Sequence, residues 1–300
     1  MLSDLLRPLS SDLAEAFASV PMPVPLRDDR IAFFDRSSPD LGDASTRVVI
    51  LAGPDATLAQ SAVHALADHL GAPVANTWGA KGIYPWDDPH HMGTCGLQRD
   101  DFALLGFGEF DIVLMVGVDD LEAKPNRSAC RTIEEITPCA LDHLRSASTP
   151  RPMVSQPNEL YTRMAAIAQP GYVDDSVPRH PARAVMDLKQ SLGPHDRVTA
   201  QPGLAGLWIA RTFPTDRMGS VIVPATDRPG IGAACGLVSA SQGTPTVALV
   251  TERDDAVTAE VMAVVQSQGL PLRLEVWEDD VDWTRTDDLI AAAGPIVAWT

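Results

Sequence analysis

Five metal-competent side chains, Asp87, Asp88, His90, His91 and Cys95, crowd into nine positions of the chain. Carboxylate, imidazole and thiolate together are the donors of a transition-metal site. Side chains of adjacent residues diverge, however, and the spacing matches no zinc pattern. The stretch therefore reads as an ordinary turn rich in Asp and Pro, and no metal is expected. Lys81, just before Gly82, is one of only three lysines, with Lys124 and Lys189. As a compact charge in a glycine-flanked loop it could pair a phosphate, or it could close a structural ion pair with Asp87 or Asp88. A third group, Glu252, Asp254, Asp255, Glu278 and Asp279, gathers carboxylates in the last fifty residues. Such oxygens suit a hard divalent cation, and solvated acidic loops are the preferred reading. Nothing signals a nucleophile: there is no Gly-x-Ser-x-Gly and no Cys with an identifiable base, and His180 and His195 read as surface residues.

Composition limits the partners. Of 300 residues 45% are hydrophobic, enough for the cores of two domains. The 23 Lys and Arg against 40 Asp and Glu leave a net charge of -17, so a nucleic-acid backbone meets a repulsive field and is excluded as a partner. The acidity is uneven, because residues 251–300 hold eleven carboxylates and three arginines. The first residues lack a basic stretch followed by an apolar one, and no window reaches the roughly 18 apolar residues of a membrane span; a cytoplasmic protein is expected. The four cysteines, Cys95, Cys130, Cys139 and Cys235, show no paired spacing and are expected as buried free thiols.

The elements that must position these groups follow from hydrophobic period. Residues 47–52 are a short β-branched run ending at Gly53-Pro54, 56–70 carry apolar residues at helical spacing and stop at Gly71, and a second strand opens at Val74. Residues 111–117 form a continuous apolar run, as when both faces of a parallel sheet are covered. Strand, helix, strand at this spacing predicts right-handed crossovers and a Rossmann-like layer. A second block repeats the grammar, with helices predicted over 182–192, 204–211, 230–241, 258–268 and 287–293. Its strands are predicted over 197–199, 220–223, 245–250 and 272–277, with a closing strand over 295–299. Proline-rich stretches at 21–25 and 170–181 look like connections. The predicted fold class is α/β: two Rossmann-like three-layer domains with mostly parallel sheets, at 46–170 and 180–300, after an extended N-terminal segment over 1–45. Ligands of such folds meet the carboxyl ends of the strands, so Gly53, Lys81, Gly82 and Gly117 mark a candidate nucleotide site.

The run from Leu70 through Thr77, Lys81-Gly82, Pro85, Pro89-His90 and Gly93 to Gly96 resembles the middle-domain signature of the thiamine diphosphate-dependent decarboxylase and acetolactate synthase family. That family commonly shows a lysine-glycine pair, a proline, a histidine-bearing turn and a glycine pair here. The second block resembles the family's diphosphate-binding domain, and residues 13–28 resemble the tail of its pyrimidine-binding domain. The resemblance implies that the 1–45 segment is a remnant of that domain, which supplies the family's activating glutamate. It also implies that the middle domain holds FAD or ADP in some members and nothing in others.

The departures carry the functional expectation. The family holds the diphosphate through Mg²⁺ with a Gly-Asp-Gly after a buried strand and a later Asn, because glycine admits the phosphate and hard oxygens suit the cation. Here Thr251-Glu252-Arg253-Asp254 follows the matching strand, and Glu278-Asp279 stands where the Asn would be. The turn before the next helix reads Asp227-Arg228-Pro229-Gly230, placing a proline and a carboxylate beside the phosphate position. At an effective dielectric of 20 each unpaired like charge near 4 Å costs on the order of 4 kcal/mol. The expectation is a degenerate homologue that does not bind thiamine diphosphate alone. It would act as a binding or assembly subunit, with a nucleotide or acyl ligand in the middle domain as a further option. Two alternatives stand beside it: half of a heteromeric 2-oxoacid decarboxylase or carboligase whose partner chain carries the pyrimidine-binding domain, and a new activity in the remodelled pocket. Self-association is expected, since the family packs like domains through apolar helices.

Overall fold

Every residue of strand β1 (Val48–Ala52) is buried, and its alternation decides which core each side chain enters. Val49 and Leu51 point into one core, Val48, Ile50 and Ala52 into another. Strand β4 (Ile112–Val116) repeats the division, with Val113 and Met115 on the first side and Ile112, Leu114 and Val116 on the second. These strands join β2 (Val74–Thr77), β3 (His91–Cys95) and β5 (Thr132–Ile136) in a parallel sheet of order β3-β2-β1-β4-β5. The computed structural model describes residues 10–20, 41–123, 132–137, 140–153, 158–251, 255–277 and 279–299. Helix α2 (Gln60–Leu70), closed by Gly71 in the left-handed region, and α4 (Leu141–Ala147) cover the second side of the sheet.

The second sheet, β7-β6-β8-β9, is also parallel and comprises β6 (Arg197–Ala200), β7 (Val221–Ile222), β8 (Thr246–Val250) and β9 (Leu272–Val276). Its outer face carries α8 (Ile231–Ser241), whose small residues pack closely on the strands, and α9 (Ala256–Gln268), which packs on α8. Its inner face shares one continuous core with the first sheet, through α5 (Glu159–Gly171), α6 (Pro181–Ser191), α7 (Leu204–Thr212) and α10 (Thr286–Ala293). Among the described residues no helix is long and apolar enough to cross a membrane.

The predicted α/β class with two parallel Rossmann-like sheets is what the structure has, and the differences lie at the ends. The segment expected to be extended contains helix α1 (Ser11–Ala18), because the Ser10 hydroxyl accepts from the Leu13 amide and Leu13 and Ala16 bury against α8 and α9. Residues 295–299 do not close the second sheet. Instead Ile296 bridges Gln98 in antiparallel fashion, and the amides of Arg99 and Asp100 donate to Pro295 O and Ala293 O. Strand β3 escapes sequence reading because its run His-Met-Gly-Thr-Cys has no continuous apolar character. His180, expected at the surface, is buried: its Nδ1 accepts from the Ala182 amide and caps α6, and its ring stands edge-on to Trp208. His195 is exposed.

The seam between the two sheets closes on one ion pair. Arg211, in the last turn of α7, reaches Asp101 Oδ1 at 2.7 Å, with side-chain exposures of only 2% and 0%. Its guanidinium also donates to Thr94 O at 2.6 Å and Gln98 Oε1 at 3.1 Å. Asp101, at the start of α3 (Asp101–Leu104), accepts the Leu97 and Gln98 amides on its other oxygen. Burial pushes the Asp101 carboxyl up; Arg211 and the two amides oppose it. Arg211→Met strands a buried carboxylate and is expected to lower the unfolding free energy by about 3–5 kcal/mol in a urea titration. Adding Asp101→Asn, which removes the second charge and keeps an acceptor for both amides, should recover about half of that loss. Wild-type stability of the single variant would show that the pair does not hold the seam.

Candidate functional site

In each sheet the strand order reverses at one point, β1/β4 in the first and β6/β8 in the second. Crevices at such switch points are where doubly wound folds place ligands. The first is closed by backbone. The Gly53 amide donates to Val116 O at 2.9 Å and the Asp55 amide to Gly117 O at 3.1 Å. A Cβ on Gly53 would lie 2.3 Å from Gly117 O and from Val118 Cα, so this glycine serves chain-to-chain contact. Of the four residues expected to form a nucleotide site, Gly53 and Gly117 come together here. Lys81 and Gly82 stand apart at the seam, where a Cβ on Gly82 would lie 2.5 Å from Arg217 O of the second unit.

The chain after Gly117 turns back over the carboxyl ends of β2 and β3 and sets Glu122 there. This buried carboxylate accepts the Gly79 amide at 3.1 Å, and a Cβ on Gly79 would sit 2.3 Å from Glu122 Oε1. Burial pushes the Glu122 carboxyl up to about 7. Sequence reading did not single out Glu122, because nothing in its neighbourhood marks it as the residue that turns inward.

The second switch point is occupied by Gln201, the residue directly after β6 and only 4% exposed. Its backbone amide donates to Leu249 O at 2.8 Å, holding it against β8. Its carboxamide Oε1 accepts the Gly232 amide at 3.0 Å, and its Nε2 donates to Arg228 O at 2.7 Å and to Asp227 Oδ1 at 3.3 Å. The amide of Gly232 is one of the free N–H groups at the start of α8 that would otherwise receive an anion. A Cβ on Gly232 would lie 2.7 Å from Gln201 N, and one on Gly230 would lie 2.5 Å from Val257 Cβ and 2.7 Å from Asp255 Oδ1. Gly230 itself has a φ of 70°, a left-handed conformation that favours glycine. Asp227 and Gly230 are thus brought together, with a neutral amide between the helix start and the carboxylate. The residues present do not fit a diphosphate here: its acceptor oxygens would compete with Gln201 for the same amide and meet Asp227.

The remaining candidates scatter. Asp279 lies exposed in a turn, and Glu252, Asp254 and Glu278 lie outside the described residues. Part of the C-terminal acidity has structural work: Asp255 caps α9 by accepting the Thr258 amide at 2.9 Å, and Asp287 and Asp288 sit in the first turn of α10. In the Asp87 to Cys95 run, His90 faces Asp88 at 3.3 Å and stacks on Tyr84, whereas Cys95 is buried with its thiol pushed well up by burial. Among the described residues no three His, Cys, Asp or Glu groups converge as metal ligands. The ammonium of Lys81 makes none of the ion pairs found among the described residues, so the pairing with Asp87 or Asp88 is not formed.

Residues 43–137 match the family model for the central domain of thiamine pyrophosphate enzymes. Among solved structures, the chain is similar to one described as "a putative thiamin diphosphate-dependent enzyme isolated from Mycobacterium smegmatis". The TM-score is 0.56 at 17% identity, with 77% of this chain and 50% of that chain covered. At that identity the likeness is one of fold, and this chain spans half the length of the other. No curated protein matches the sequence.

The raised Glu122 carboxyl has a consequence for stability. Because its folded value lies above the usual value of 4.5, the folded state binds more protons between those limits, and stability falls as pH rises through that window. Glu122→Gln removes the dependence. In urea titrations it is expected to match wild type near pH 4 and to exceed it by roughly 1–3 kcal/mol at pH 8. A difference that does not change with pH would sink this reading.

Proposed function

We propose that this chain is a homologue of the thiamine diphosphate enzymes that does not hold the cofactor by itself and serves as a binding or assembly subunit. The central-domain match over residues 43–137 and the paired parallel sheets support the relationship. The observation that carries the loss of cofactor binding is Gln201, whose carboxamide takes the Gly232 amide and ties it to Asp227. A phosphate needs that helix start free and needs no carboxylate beside it. The same reading extends to FAD and ADP, since the Gly53 and Gly117 backbones meet where a nucleotide would approach the first sheet. Chemistry dependent on thiamine diphosphate is therefore not expected of this chain alone.

Calorimetric titration of the full chain with thiamine diphosphate and Mg²⁺ should give no saturable binding below about 1 mM, a free energy weaker than about 4 kcal/mol. A micromolar, Mg²⁺-dependent isotherm would overturn the proposal. Gln201→Ala leaves the Gly232 amide buried without its partner and should lower stability by about 1–3 kcal/mol in urea. An unchanged midpoint would mean that the amide plug is dispensable.

A further inference from the structure

The seam encloses a cavity of about 430 Å³ between edge strand β3, the Lys81 loop, helices α5 and α6 and the end of α7. That size falls within the range of small-molecule sites. Most of its wall is hydrocarbon and thioether, from Met92, Leu160, Met164, Ala168, Met186 and Phe213. Four basic side chains reach it, and two are already engaged. Arg211 is held by Asp101, Thr94 O and Gln98, and Lys189 pairs with Asp216 at 2.7 Å. The other two are Lys81 and His91.

Lys81 is 6% exposed, and its ammonium has no hydrogen-bond or ion-pair partner among the described residues. An unpaired cation in such surroundings is costly, and burial with the neighbouring Arg211 charge lowers Lys81 to about 7. His91 lies near enough to feel the Lys81 charge, and burial first, with that charge second, lowers it to about 4; it is neutral at pH 7. Its Nδ1 is buried without a partner. The side chains of Lys81 and His91 thus stand in the wall of a largely apolar cavity, neither of them engaged by an acceptor among the described residues. One carboxylate would supply the counter-charge and both acceptor positions, and an apolar body would suit the Met and Phe walls. A phosphate dianion would bring more charge and more acceptors than these two groups answer.

We propose that this cavity is a binding site for an organic monocarboxylate with an apolar body, its carboxylate set between Lys81 and His91. No residue lining it belongs to the Gln201 cluster, so its occupancy is separable from the cofactor reading. The probes are octanoate and 4-phenylbutyrate, with 1-octanol as the uncharged control, titrated calorimetrically into the full chain at pH 7. The carboxylates should bind saturably and at least tenfold more tightly than 1-octanol. Lys81→Met should weaken octanoate at least tenfold while leaving 1-octanol unchanged, with thermal unfolding at or above the wild-type temperature because a buried unpaired cation has been removed. Met164→Trp, which fills the cavity, should abolish binding of both. The proposal is overturned by no saturable carboxylate binding, by equal affinity for octanoate and 1-octanol, or by octanoate affinity that survives either substitution in a folded variant.

Discussion

The buried pair of Arg211 and Asp101 constrains more of this molecule than any other polar contact described. Arg211 sits on a helix of the second unit, yet its partners Thr94, Gln98 and Asp101 all belong to the first. A charge pair removed from water persists only where further hydrogen bonds complete it, and here they do. The Leu97 and Gln98 amides complete the carboxylate, while the Gln98 side chain donates in turn to Leu289 O and Gly294 O, both at 2.8 Å. One short turn thereby fixes β3, α3, α7 and the C-terminal segment relative to one another. The cavity at Lys81 exists because this network holds the two units at that spacing.

The glycines at the strand ends pack against the chain itself. Glycine next to a strand end usually reads as room for a ligand. In this chain the spaces beside Gly53, Gly79 and Gly232 are taken by Gly117, Glu122 and Gln201 respectively. The first is a backbone contact, the second a buried carboxylate and the third the backbone of Gln201, whose carboxamide takes the Gly232 amide. Each is a contact inside the chain, which carries no translational entropy cost.

The C-terminal acidity divides the same way. Asp255 caps a helix and Asp287 and Asp288 complement the dipole of another, so part of what looked like a repulsive field is local helix stabilisation. Lys81, by contrast, is buried at the seam, an environment that a net charge does not reveal.

Much of the architecture was legible in the sequence. The runs at 48–52, 112–116 and 246–250 are apolar throughout, and only a sheet covered on both faces buries such strands. Helical period and the stop at Gly71 placed the helices that cover them. Those are local properties, carried by residues adjacent in the chain. The pairing of Arg211 with Asp101, the inward turn of Glu122, the burial of His180 and Lys81, and the bridge from Ile296 to Gln98 join residues distant in sequence. Hydrophobic period says that a side chain is apolar or polar and which face it takes; it cannot say which polar groups meet across a seam. That is decided by how two separately legible sheets dock, because burial and partner choice are set by the packing of both units together.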